Sequence, residues 1–157
     1  MQTLLYILIT IFLISLILDF LNNYNIKTAV QTVKEMGIGY NLGNLFDCYN
    51  LSIEINTPEE QITLWGNTLP NKKMISNLKK YGFKTVRFPV TWMNFIDEYG
   101  NINSEWMSRV KEVVNLILKK NLYCVLNIQN DAEKGSWLYD EIAAKNKYVN
   151  LWRQIAE

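Results

Sequence analysis

The stretch Tyr123–Asp131 reads YCVLNIQND. Tyr123, Cys124, Val125, Leu126 and Ile128 suit a buried strand, with only Asn127 interrupting them. A near-continuous apolar run is the pattern of a parallel strand covered on both faces. The run stops abruptly at Gln129-Asn130-Asp131. Burial asks for no amide or acid at a strand end, so these residues are either the floor of a binding site or a polar turn.

Working outward, the neighbouring segments alternate in period. Before the strand, Ser104 followed by Glu105 is a helix N-cap candidate. Val110, Val113, Val114, Ile117 and Leu118 then follow at helical spacing, and Asn121 sits at the far end. TVRFPV (85–90) reads as a second strand, with Pro89 near its end where a ladder donor can be spared. Asn71–Tyr81 (NKKMISNLKKY) places Met74, Ile75, Leu78 and Tyr81 on one face with lysines opposite, a helix ended by Gly82. Leu45 to Leu69 has no clean period and reads as a long loop, with Trp65-Gly66-Asn67 as an aromatic on irregular backbone. GIGYNLGN is a short strand running into a Gly/Asn loop, after a helix over Ile26–Met36. Asn146–Ala156 returns to helical spacing through Val149, Trp152 and Ile155. Helix-length segments between successive strands predict a parallel α/β sheet with right-handed crossovers. The alternation fits a doubly wound sheet or part of a (β/α)8 barrel equally.

The bulk numbers narrow the chemistry. A chain of 157 residues with 49% hydrophobic and 13% aromatic content has room for one compact domain with a real core. Lys+Arg of 16 against Asp+Glu of 15, with no basic stripe, argues against nucleic acid as a partner. There is no histidine, which removes the commonest general base and the commonest transition-metal ligand together. Cys48 and Cys124 cannot form a four-ligand zinc site alone. Cys124 reads as a small core residue, and spacing lends no support to a disulfide between the two. No metal or cofactor is expected.

Residues 1–21 differ in kind. MQTLLYILITIFLISLIL carries no charged side chain before Asp19; beside the plainer reading as a buried core helix, this suits a signal peptide or an uncleaved signal anchor. Either sends the rest of the chain out of the cytosol, secreted in the first case and membrane-anchored in the second. Asn50-Leu51-Ser52 is then a glycosylation acceptor.

In either parallel architecture, functional side chains gather at the C-terminal ends of strands. Those ends hold Asn41, Asn44, Arg87 with Pro89 and Trp92, then Gln129, Asn130 and Asp131. Amides with one cation and one indole suit a polyhydroxylated ligand: amides exchange hydrogen bonds with hydroxyls, and Trp covers the apolar face of a sugar ring. Plainer readings stand beside this one. Arg87 can pair with a structural carboxylate, Trp92 and Trp137 can be core or loop anchors, and Asn41 and Asn44 can serve turn geometry. GYNLGN is not a GxGxxG dinucleotide fingerprint, and Asp47, Asp97 and Asp131 show no pairing motif for acid/base work.

Taken in order, MGIGYNLGN, WGN, TVRFPVTW, INSEWMSRVKEVVN and NIQND resemble the endoglucanases (cellulases) of glycoside hydrolase family 5. The landmarks there run as strand 1, its loop, strand 2, helix 2 and strand 3, and the resemblance spans residues 26–157. It implies a (β/α)8 TIM barrel, of which this sequence holds about the first three βα units, and β-1,4-glucans or related plant polysaccharides as partners. It also implies retaining hydrolysis by two glutamates. By resemblance, Arg87 stands at the strand-2 arginine that orients the nucleophile. Asn41, Trp65 and Trp92 stand at landmarks around the cleft, and Trp137 falls in the loop after strand 3 that meets substrate.

The departures carry as much. The family's Asn-Glu-Pro acid/base motif and its nucleophile glutamate are expected beyond Glu157, so no catalytic residue is assigned within this chain. NIQND stands where the family reads Asn-Ile-His-His-Asp, placing Gln129 and Asn130 at two histidine positions. Amides keep hydrogen-bonding capacity but cannot be protonated near neutral pH. The expectation is an endoglucanase-type chain, inactive as residues 1–157 alone. The alternative is a non-catalytic glucan-binding or pseudoenzyme module.

Overall fold

The computed structural model describes residues 2–23, 27–130 and 142–157, which form two compact units, Met1–Glu35 and Met36–Glu157. Asp131 and Trp137 lie outside the described residues.

In the first unit, α1 (Gln2–Asn23) exposes the apolar side chains of Tyr6, Ile7, Phe12, Leu13 and Ile17. The side chains of residues 2–5, 8 and 19–23 fall outside the description, and among the described residues no helix is long and apolar enough to cross a membrane. The reading of residues 1–21 as a leader therefore rests on the sequence alone. Helix α2 (Ala29–Met36) starts where Thr28 and Gln31 exchange hydrogen bonds, Thr28 N–H to Gln31 Oε1 at 2.8 Å and Gln31 N–H to Thr28 Oγ1 at 3.2 Å. Such reciprocal bonds satisfy donors that a helix start otherwise leaves orphaned.

The second unit is a three-stranded parallel sheet in the order β1 (Gly39–Asn41), β2 (Thr85–Val90), β3 (Tyr123–Ile128). Between β1 and β2 lie α3 (Pro58–Thr63) and α4 (Lys72–Lys80), and between β2 and β3 lies α5 (Ser104–Leu118). Helix α6 (Ile142–Ala156) follows β3. Val86, Phe88 and Val90 of the central strand are fully buried. They belong to one core with Ile75 and Leu78 of α4, and with Trp106, Val110, Val113 and Ile117 of α5. Aromatic packing ties the loop after β1 to this core: the Phe46 ring meets Phe88 edge-on at 4.9 Å, and Trp106 stacks on Phe95 at 4.5 Å.

Four expectations change. The stretch 45–69 is not all loop, because α3 lies within it. Thr57 accepts from Glu60 N–H while the Glu60 carboxylate accepts from Thr57 N–H, and Pro58 fills the first turn, so the capping box Thr-Pro-Glu-Glu fixes a helix too short to show a period. The N-cap of α5 is Asn103, not Ser104, since the Asn103 side chain accepts from Glu105 and Trp106 N–H. Tyr81 lies at the C-cap of α4 and is exposed rather than part of its apolar face. Strand β3 is half-buried rather than covered on both faces, Val125 being 37% exposed, because among the described residues it has a strand neighbour only at β2.

Candidate functional site

The register of the sheet assembles the site. Asn41 pairs with Arg87, and Arg87 with Val125, so the three side chains stand abreast on one face of the sheet. That face is opposite to the one carrying Val86, Phe88 and Val90. Arg87 Nη1 donates to Asn41 Oδ1 at 2.6 Å and Nη2 donates to Gln129 Oε1 at 2.7 Å. The guanidinium is thus held by two amide oxygens, one from the end of β1 and one just past β3, and among the described residues no carboxylate pairs with it.

This arrangement orients the amides. Asn127 Nδ2 also donates to Gln129 Oε1 at 3.0 Å, which fills both lone pairs of that oxygen. With their oxygens turned to the cation, Asn41 and Gln129 keep their NH2 groups for other acceptors, such as the hydroxyl oxygens of a sugar. Gly43 leaves room for the Asn41 side chain: a Cβ there would sit 2.6 Å from Asn41 Nδ2.

The loops around the floor are stitched by polar contacts. Asn130 takes a left-handed backbone (φ 59°), which Asn tolerates better than most residues, and its Nδ2 donates to the Asp47 carbonyl at 2.8 Å. Gln129 N–H donates to the Val90 carbonyl, and Thr91 Oγ1 donates to the Gln129 carbonyl at 2.7 Å. Gln129 thus meets the Arg87 guanidinium at the strand ends, while Asn130 makes the turn. Asn44, also left-handed at φ 62°, receives a bond from Asn67 Nδ2 at its carbonyl. Asp47 is 8% exposed, and its Oδ1 accepts from Leu45 N–H at 3.0 Å, which makes it a loop fastener.

The tryptophans separate. Trp65 is 43% exposed beside Tyr49, their rings meeting edge-on at 6.0 Å. Trp92 is 0% exposed, with its Nε1 donating to the Asn127 carbonyl at 3.4 Å, so it has no ring face to offer a ligand in this arrangement and serves as a core anchor. Cys48 and Cys124 are free thiols, both pushed up to about 11. Burial is the first cause in each, and neighbouring Asp47 adds to it at Cys48. Among the described residues no group of acidic, Cys or His side chains is placed to hold a metal ion.

Sequence reasoning missed Gln61, Thr91 and Asn94, which link the loops behind the floor. The capping box at Thr57 would have pointed to a short helix that places Gln61.

Residues 46–157 match the family model for cellulase, glycosyl hydrolase family 5. The chain belongs to that family. Endoglucanase A of Clostridium longisporum is 38% identical over 138 residues, covering 85% of this chain and 26% of its own length. A solved GH5-4 broad specificity endoglucanase from an uncultured bovine rumen ciliate is 58% identical with a TM-score of 0.76, covering 83% of this chain and 36% of its own. A family 5 enzyme from Prevotella bryantii, solved as a mutant in complex with a xyloglucan tetradecasaccharide, is 33% identical with a TM-score of 0.74 over 83% of this chain and 39% of its own. The chain thus spans about a quarter to two fifths of the length of these relatives. Its parallel sheet is the α/β architecture of the first βα units of the family 5 (β/α)8 barrel.

Proposed function

We propose that these residues build the β1–β3 part of an endo-β-1,4-glucanase-type site, with β-glucan or xyloglucan as the ligand. The observation that carries this reading is the Asn41–Arg87–Gln129 floor at the strand ends of a family 5 chain. In this reading Asn41 and Gln129 present NH2 groups to sugar hydroxyls, Asn130 holds the loop that frames them, and exposed Trp65 covers a ring face. Trp92 supports the floor from beneath, and Trp137 is assigned to the rim by resemblance alone. Retaining hydrolysis needs two carboxyl groups flanking the scissile bond. The described floor consists of amides and one guanidinium, which bind and orient but transfer no proton near neutral pH. In this reading the described floor holds a glucan without cleaving it.

The test is to incubate the purified 157-residue chain with carboxymethylcellulose and with xyloglucan and to measure new reducing ends. No release above the protein-free blank is expected, and steady turnover would refute the non-catalytic reading. We further propose that residues 1–21 act as a signal peptide or anchor. N-terminal sequencing of the chain exported by a eukaryotic host distinguishes cleavage from retention, and quantitative recovery from the cytosol argues against both.

A further inference from the structure

Gln61 is 0% exposed and lies on α3, outside the sheet. Its Nε2 donates to the Phe46 carbonyl at 2.9 Å and to the Thr91 carbonyl at 3.1 Å, while its Oε1 accepts from Asn94 Nδ2 at 2.9 Å. A buried amide is costly unless satisfied, and this one spends its bonds joining two loops. Those loops are the ones that hold the floor. Thr91 N–H donates to the Phe46 carbonyl at 2.9 Å, and Thr91 Oγ1 carries the Gln129 carbonyl. The residue after Phe46, Asp47, receives Asn130.

We propose that Gln61 is a positioning residue for the glucan floor. It clamps the β1 loop at Phe46 to the end of β2 at Thr91, and through Thr91 it sets where Gln129 meets Arg87. The proposal rests on the reading of that floor as a glucan site. An apolar side chain of similar size fills the space but supplies no donor to the Thr91 carbonyl. The floor then loosens while the packed core beneath it stays closed.

The test is residue-resolved amide hydrogen exchange on the full chain, with Gln61→Met and Gln61→Glu beside the wild type. Affinity for a xyloglucan oligosaccharide is titrated on the same samples. Gln61→Met removes all three bonds and is expected to lower protection at the Thr91 and Gln129 amides at least about tenfold, with Val86 and Val113 unchanged. Oligosaccharide affinity should fall by a similar factor. Gln61→Glu keeps the acceptor for Asn94 but sets a carboxylate against two carbonyls, so its lost protection should return as the pH falls and the carboxyl regains a proton. Unchanged protection at Thr91 and Gln129 overturns the proposal. So does an equal loss at Val86 and Val113, because Gln61 is then only a fold residue, and so does a selective loss with unaltered affinity. A wild type that binds no oligosaccharide refutes the glucan reading, and the protection pattern still decides the clamp.

Discussion

Arg87 Nη2 donates to Gln129 Oε1 at 2.7 Å, joining the central strand to the polar residues past β3. Where the sequence resemblance places histidine, this chain has an amide, which accepts from the guanidinium and does not itself titrate near neutral pH. The cation is fixed by neutral groups, and its two partners are fixed by it.

Removing the cation tests that mutual arrangement. Arg87→Met leaves Asn41 Oδ1 without its donor and Gln129 Oε1 with only Asn127. The expected cost is about 1–3 kcal/mol of unfolding free energy, measured by urea titration. Arg87→Lys should cost less, because one ammonium can reach a single oxygen but not fork between two.

Gln129→His should introduce a pH dependence that the wild type lacks. Arg87 beside the introduced imidazole disfavours its charged form, so its folded-state value falls below the ordinary imidazole value of about 6.5. The neutral ring accepts from Arg87 and the protonated ring cannot. Stability is therefore complete above about pH 6.5 and falls as the pH drops toward the lowered folded-state value, by about 1.4 kcal/mol per pH unit at most. Urea midpoints at pH 7.5 and pH 5.5 give the comparison, and equal shifts in variant and wild type would contradict the arrangement.

The two described tryptophans at the site should behave oppositely. Trp65→Ala should leave the urea midpoint nearly unmoved and weaken oligosaccharide binding about tenfold, as loss of an exposed stacking ring does. Trp92→Ala removes a wholly buried side chain and should cost about 3–5 kcal/mol of stability.

Both thiols should be slow to alkylate. With Cys48 and Cys124 near 11 instead of 9.0, the folded chain holds about a hundredfold less thiolate at pH 8 than an unshifted thiol. Iodoacetamide labelling at pH 8 should lag far behind the urea-unfolded chain, and equal rates would show the sites to be open.

The strands were legible because TVRFPV and YCVLNI are mostly apolar runs of strand length, and helix α5 because its valines keep step with the helical period. Helix α3 was not, since six residues give no period and only its cap announces it. Arg87 could be placed at a strand end from sequence, but its partners could not. Asn41 and Gln129 reach it only through the parallel register, from 46 and 42 residues away. Trp65 and Trp92 look alike in sequence, and only packing assigns one to the surface and the other to the core. Gln61 was invisible for the same reason: its importance lies in which two distant carbonyls meet beside it.

The Arg87-organised amides are proposed to form a glucan-binding floor. Calorimetric titration of a xyloglucan oligosaccharide into the 157-residue chain, wild type against Arg87→Met, tests it most directly. A saturable isotherm is expected for the wild type and an affinity at least about tenfold weaker for a still-folded variant. A wild type that binds nothing, or a variant that binds equally well, would contradict it.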